Sequence, residues 1–259
     1  MATPVQVETV DAVRVVTIDR PERRNALDDE ATALLVEIFA EANLDPAVSV
    51  VLLTASGDRA FCAGRDLREL DDRAKQHAGI SQPMVAAERN LHETVLETYK
   101  PVIAALNGAA VGGGFELALA CDLRVAADHA FLQLSEVRRG MGANFASVVL
   151  PQLLPRAVAL ELLYTGRRME CDEALRWGLL NAVHPKDRLL DAAMELATSI
   201  ARNAPLSLRR YAEMSTKSWG LPVSAGLRLN VGPNPYTSED RVEGVNAYVE
   251  KREPRWQGR

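Results

Sequence analysis

Val5, Val7 and Thr9, and then Val13, Val15 and Thr17, recur with a period of two on either side of Asp11-Ala12, which predicts a hairpin. Arg20-Pro21-Glu22-Arg23-Arg24-Asn25 breaks the alternation and reads as a loop. The period then lengthens. Ala31, Leu34, Leu35, Ile38, Phe39 and Ala42 keep helical spacing, with Asp28 and Asp29 placed to cap the helix and Asp45-Pro46 to end it. Val48 to Leu53 is a continuous apolar run, the pattern of a strand covered on both faces. Ser56-Gly57-Asp58 then turns the chain into Ala60-Phe61-Cys62-Ala63-Gly64-Arg65-Asp66-Leu67, a small-residue turn between strand and helix.

Residues 68–98 are charged and helical in pattern, interrupted by Gly79 and Pro83. Val102 to Leu106 is another buried strand, followed by a glycine turn and an apolar helix to about Ala120. Leu123–Ala127 and Ala130–Leu134 read as two more strands. From Phe145 the texture is helix after helix (Arg156–Tyr164, Asp172–Gly178, Leu189–Arg202, Leu206–Lys217), with only Leu179–His184 extended. Ser238–Arg252 closes the chain as a polar helix striped by Val242, Val245, Tyr248 and Val249. Repeated β-α-β alternation favours a layered α/β architecture.

A chain of 259 residues can bury a large core as one domain, and 47% hydrophobic with 25% charged residues is ordinary globular composition. A net charge of −5 argues against a nucleic-acid or membrane-surface role built on bulk charge. Cys62, Cys121 and Cys171 lack the paired spacing of a zinc or redox motif and read as small buried residues in a reducing compartment. His77, His92, His129 and His184 show no metal-set spacing. No basic segment leads into an apolar core at the N-terminus, and no run is long and apolar enough to span a bilayer. The expected compartment is the cytoplasm.

The chemistry concentrates at Asn107-Gly108-Ala109-Ala110-Val111-Gly112-Gly113-Gly114-Phe115-Glu116. Three consecutive glycines weaken a strand or a helix from inside, so they belong at a junction where backbone must approach something closely. A helix starting there offers free N–H groups to a phosphate, a carboxylate or a developing oxyanion. No Lys-Ser or Lys-Thr pair follows, which removes the P-loop, and the G-x-G-x-x-G spacing of a dinucleotide site is absent. Paired with the Ala60–Leu67 turn, the glycine turn can complete an oxyanion hole from two backbone N–H groups.

AFCAGRDL together with NGAAVGGGFELALACDLRVAAD resembles the crotonase superfamily, the enoyl-CoA hydratase/isomerase family. The resemblance starts at Arg20-Pro-Glu-Arg-Arg-Asn-Ala-Leu27. It takes in Thr165-Gly166-Arg167 and Ala174-x3-Gly178-Leu179, and ends at Glu243-Gly244-x3-Tyr248-x-Glu250-Lys251-Arg252. It implies an α/β fold, a crotonase-like spiral of ββα units over residues 1–200, with a helical C-terminal oligomerisation region over 201–259. A homotrimer or a dimer of trimers is the implied assembly. It assigns Ala63 and Gly113 as the oxyanion donors for the thioester carbonyl of an acyl-CoA.

Acid/base residues then decide the reaction. The resemblance keeps a glutamate at both hydratase positions, Glu116 and Glu136, implying reversible addition of water to a 2-enoyl-CoA. Alone, Glu116 reads as a helix-start dipole residue and Glu136 as a solvent-exposed one; motif order is what makes them catalytic candidates. Isomerisation, thioester hydrolysis, decarboxylation, or non-catalytic binding of acyl-CoA or RNA are the alternatives on this scaffold. The segment after Glu136 departs from the family pattern, with Ala143-Asn144 where Pro-Gly is expected; an Asn there can orient water or shrink the acyl pocket. Arg138 and Arg139 are expected to pair with acidic neighbours. Substrate contacts are expected from Arg24, Ala26, Arg65, Asp66, Leu67, Asn144 and Tyr248, with Arg23, Arg68 and Lys251 nearby and the 68–98 segment lining the acyl pocket. No metal or redox cofactor is implied; CoA is part of the substrate.

Overall fold

The computed structural model describes residues 3–75 and 89–259, and in it the apolar runs become two sheets. The first contains β1 (Val5–Val10), β2 (Val13–Ile18) and, after helix α1 (Asp29–Leu44), β3 (Val50–Ala55). The chain next forms β4 (Ala60–Cys62), α2 (Leu67–Lys75) and α3 (Leu91–Leu96). Two strands and a helix follow, β5 (Val102–Leu106), β6 (Ala109–Val111) and α4 (Gly113–Ala120). Then come β7 (Leu123–Ala127), β8 (Phe131–Gln133), α5 (Asn144–Leu153) and α6 (Arg156–Thr165). β9 (Arg168–Glu170), α7 (Cys171–Arg176), β10 (Ala182–His184) and α8 (Leu189–Ala201) complete this part, and α9 (Pro205–Lys217), α10 (Val223–Gly226) and α11 (Glu239–Glu250) the C-terminal region.

Strand order is β1-β2-β3-β5-β7-β10 in one sheet and β4-β6-β8-β9 in the other. Apart from the β1/β2 hairpin and the β8/β9 pair, neighbouring strands run parallel. Successive strand pairs β3/β4, β5/β6 and β7/β8 each place one strand in either sheet before the chain goes helical, which is the expected ββα spiral.

Burial explains the unbroken apolar runs. Every residue of β3 is buried, and its side chains alternate between two cores. Val51 and Leu53 join the core shared with Leu35, Phe39, Phe61 and Phe115, whereas Val50 and Leu52 pack toward Leu189, Ala193 and Ala197 of α8. A strand covered on both faces is apolar nearly throughout, and its one polar side chain, Thr54, is satisfied by donating to Ala105 O at 3.0 Å. Asp28 caps α1 as expected, accepting from Ala31 N–H at 2.9 Å. The end of α4 is satisfied by a buried cation. Arg124 donates to the carbonyls of Ala118 (3.1 Å), Cys121 (2.6 Å) and Leu179 (2.8 Å), so a guanidinium closes the negative pole of the helix.

Several expectations need correction. The Ala60–Leu67 stretch and the glycine turn each begin with a short strand, β4 and β6, and β9 lies in a stretch expected to be without strands. Glu136 starts a single 3-10 turn, Glu136–Arg139. Arg138 and Arg139 form no ion pair with an acid among the described residues; they donate to the carbonyls of Thr165 and Ser135. Of the 68–98 segment, α2 and α3 occupy the ends, while Gly79, Pro83 and His77 lie outside the described residues. Cys62, Cys121 and Cys171 are free and buried. In the C-terminal region, Asp240 accepts from Gln257 N–H at 2.6 Å and Gly258 N–H at 3.0 Å, folding the tail back on α11. Val242, Val245, Tyr248 and Val249 remain exposed in the single chain.

Candidate active site

Three parallel neighbours of the second sheet, β4, β6 and β8, end side by side, and their carboxyl ends carry the three segments singled out in the sequence. β4 runs into Ala63-Gly64-Arg65, β6 into Gly112-Gly113-Gly114, and β8 into Leu134-Ser135-Glu136. Crevices beyond the carboxyl ends of parallel strands are where α/β folds place ligands.

The glycines allow backbone to touch backbone. A Cβ on Gly114 would stand 2.0 Å from the carbonyl oxygen of Cys62, and one on Gly64 would stand 2.9 Å from Gly113 N. Gly64 (φ +84°) and Gly112 (φ +59°) also occupy conformations that side chains disfavour. The result is a close pair of N–H groups: Arg65 N lies 3.9 Å from the point a Gly113 Cβ would occupy. Leu27 bridges Arg65 by bonds to its two neighbours, Leu27 N–H to Gly64 O at 2.8 Å and Asp66 N–H to Leu27 O at 2.9 Å. In a parallel bridge this turns the Arg65 N–H away from Leu27. Neither Arg65 N–H nor Gly113 N–H has a partner among the described residues. Ala63, the expected donor, is different. Its N–H is already given to the carbonyl of Arg24 at 3.1 Å.

Glu116 is buried on the first turn of α4 and accepts from Ala146 N–H at 2.9 Å. Burial raises its carboxyl above the ordinary value, against the lowering pull of the Ala146 and Phe145 N–H groups at the start of α5. Glu136 leans over the other turn, its Oε1 2.8 Å from the point where a Gly112 Cβ would be. Its Oε2 is buried without a partner. Burial raises Glu136 first, and the neighbouring charge of Glu116 raises it further. One carboxylate is thus cradled by helix N–H groups and the other keeps an oxygen without a partner among the described residues, while burial raises the pKa of both.

The remaining expected residues fall around these turns with different commitments. Arg24 (φ +54°) is exposed, and its carbonyl holds the Ala63 turn. Ala26 is buried, its carbonyl taken by Arg20. The Asp66 carboxylate is engaged internally, accepting from Arg68 N–H at 3.1 Å and facing Arg20 at 3.5 Å. Arg65 pairs through its side chain with Asp29 and Glu69. Leu67 is exposed at the start of α2. Asn144 opens α5 with an exposed side chain folded toward Gly142. Tyr248 stands exposed on α11, its side chain without a hydrogen bond or ring contact among the described residues.

Sequence reasoning did not find the Arg65 N–H, the Ala146 N–H or His92. His92 is partly buried on α3, and its Nε2 lies 3.2 Å from Gly113 O. The only signal for Arg65 was its place after a glycine, and none marked His92.

Residues 8–259 match the family described as enoyl-CoA hydratase/isomerase. The chain is 40% identical over 251 residues to a carnitinyl-CoA dehydratase of Citrobacter koseri, covering 94% of each protein. It is 37% identical over 262 residues to an (E)-benzylidenesuccinyl-CoA hydratase of Thauera aromatica, covering 98% of this chain and 99% of that one. Among solved structures, an enoyl-CoA hydratase from Bacillus anthracis aligns with TM-score 0.89 and 34% identity over 99% of this chain and all (100%) of that one.

Proposed function

The chain belongs to the enoyl-CoA hydratase/isomerase family, and from that premise we propose that it is a hydro-lyase adding water reversibly across the 2,3 double bond of a 2-enoyl-CoA thioester. The observation that carries this reading is the pairing of two N–H groups without a partner among the described residues, Arg65 and Gly113, with a buried carboxylate, Glu116, and a half-buried one, Glu136, in unlike surroundings. The relatives named above, a dehydratase and a hydratase, are consistent with it, since the two names describe opposite directions of one bond change.

In this mechanism the thioester oxygen sits between the Arg65 and Gly113 N–H groups. Glu116, ionised in its N–H cradle, takes a proton from water as the water oxygen bonds to C3. The electron pair of the double bond moves onto the thioester as an enolate, and C2 then takes the proton from Glu136. Glu116 ends protonated and Glu136 ionised, so one water has been added and exchange with solvent resets the pair. The thioester charge goes to peptide dipoles and both protons pass through carboxylates, so the reading asks for no cofactor beyond the CoA of the substrate. General acid/base groups of this kind typically contribute about 10²–10⁴-fold each.

Substrate contacts from Arg24, Leu67 and Asn144 are part of the proposal; Asp66 and Ala26 act instead by holding the turns. Tyr248 contributes only through a neighbouring copy in a trimeric assembly, to which the exposed stripe on α11 lends support. No described helix is long and apolar enough to cross a membrane. The test is a panel of 2-enoyl-CoAs of increasing chain length with products identified by mass. Gain of one water with the thioester intact supports the reading. Release of free CoA, or migration of the double bond without water, refutes it.

A further inference from the structure

Three consecutive glycines give the Gly112–Gly114 turn the greatest backbone freedom available, yet it has to hold a donor in place to within a fraction of an ångström. Among the described residues, a single side chain hydrogen-bonds to the turn: His92, through Nε2 to Gly113 O at 3.2 Å. A carbonyl oxygen only accepts, so Nε2 carries the proton and the neutral ring donates. Packing between α3 and α4 pushes the imidazole below its ordinary pKa, which keeps it in that neutral form. The same ring stacks on Phe145, centroids 5.4 Å apart and planes inclined by 27°. Phe145 immediately precedes Ala146, whose N–H holds Glu116. One imidazole therefore touches the oxyanion turn on one side and the cradle of Glu116 on the other.

We propose that His92 is a positioning residue, whose Nε2–H anchors the Gly113 carbonyl, one peptide beyond the Gly113 N–H, and so limits the rotation of the turn that presents that N–H as an oxyanion donor, while its ring sets the start of α5 against Glu116. The proposal rests on the reading of Gly113 as a donor to the thioester oxygen. It acts through Gly113 and does not require His92 to touch substrate.

Two replacements separate the donor from the ring. His92→Phe keeps the stack and removes the N–H; His92→Gln keeps an N–H and removes the stack. The first readout is the C=O stretch of isotope-labelled butyryl-CoA, a saturated thioester, bound to each protein. It reports polarisation by the hole whether or not hydration is the reaction. The second is kcat and KM on crotonyl-CoA. His92→Phe is expected to reduce the red shift of the bound carbonyl and to lower kcat about tenfold at unchanged KM, the size of one hydrogen bond. His92→Gln is expected to restore part of both. If His92→Phe does not fold, His92→Met, which also lacks a donor, replaces it. A wild-type red shift in the variant lacking the donor overturns the proposal, as does equal loss in the two variants. Absence of any red shift in the wild type overturns both this proposal and the reading of the hole. A red shift without hydration refutes only the hydratase reading, and the carbonyl comparison still decides the role of His92.

Discussion

Gly114→Ala tests whether the site is assembled by direct backbone contact between two turns. The added Cβ would lie 2.0 Å from Cys62 O and 2.6 Å from Cys62 C, both main-chain atoms of β4. Contacts under 3.0 Å are essentially never adopted, so β4 and α4 have to separate by about 1 Å (from 3.0 − 2.0). Alanine returns about 1 kcal/mol through helix propensity. Forced overpacking costs about 1–3 kcal/mol and sometimes more. With backbone atoms on one side of the clash, the upper end applies, and the net loss is about 2 kcal/mol. That corresponds to a fall in Tm of about 4–8 °C for a chain of this size. The catalytic loss is larger, because separating β4 from α4 also separates the Arg65 and Gly113 N–H groups. A displacement of this order costs about 100-fold in rate. Gly178→Ala is the control: φ is +73° there, and no atom lies within 4 Å of its Cβ position. It is expected to lose about 1 kcal/mol to the left-handed backbone and none of its activity. Thermal unfolding and hydration kinetics on both variants decide the matter. Wild-type kcat in Gly114→Ala, or an equal loss in Gly178→Ala, refutes the reasoning.

Further outcomes concern the carboxylates and the frame that holds the turns. Glu136 has a raised pKa in the folded protein, so the native state holds its proton to higher pH than the unfolded chain. Stability therefore falls as pH rises from the ordinary carboxylate value through the raised one. Glu136→Gln escapes that loss, and its Tm relative to wild type is expected to be higher at pH 8 than at pH 4, a trend whose absence in calorimetry contradicts the burial argument. Asn25 is buried at φ +55° and donates to Ser56 O at 3.0 Å and Ala60 O at 2.7 Å. Asn25→Ala is expected to cost about 2 kcal/mol in urea unfolding, since the half-buried Ser56 carbonyl loses its side-chain donor and the Ala60 carbonyl keeps only the longer bond from Asn107, at 3.4 Å. Arg124→Met removes the closing guanidinium of α4 and is expected to cost about 3 kcal/mol, with a change under 1 kcal/mol excluding that role.

The larger elements were legible because their patterns run over many residues. The β1/β2 hairpin, the Asp28-capped α1 and the doubly covered β3 each carry a periodicity or an apolar run that few other structures would fit. β4, β6 and β9 were not, because three residues cannot display a period. Missing β4 and β6 hid the reason the two turns meet, which is sheet adjacency at a separation of some fifty residues. Glu116 and Glu136 were found through motif order. That the Arg65 N–H is left free among the described residues while the Ala63 N–H is taken by Arg24 was not legible, because the direction of a peptide N–H beyond Gly64 depends on a φ of +84° that residue identity permits without stating. His92 was missed because its bond to Gly113 O and its stack on Phe145 are tertiary contacts across 21 and 53 positions, outside any local pattern.

The central claim is that Glu116 and Glu136 together add water to an enolate held by two peptide N–H groups. Its most direct test is the loss of enoyl absorbance from crotonyl-CoA and longer 2-enoyl-CoAs by wild type beside Glu116→Gln and Glu136→Gln, with bound thioester measured in all three. The account predicts hydration by wild type and a loss of about 10²–10⁴-fold in each variant at retained thioester binding. Thioester binding by all three proteins with no hydration by wild type, or hydration that survives both replacements, contradicts it.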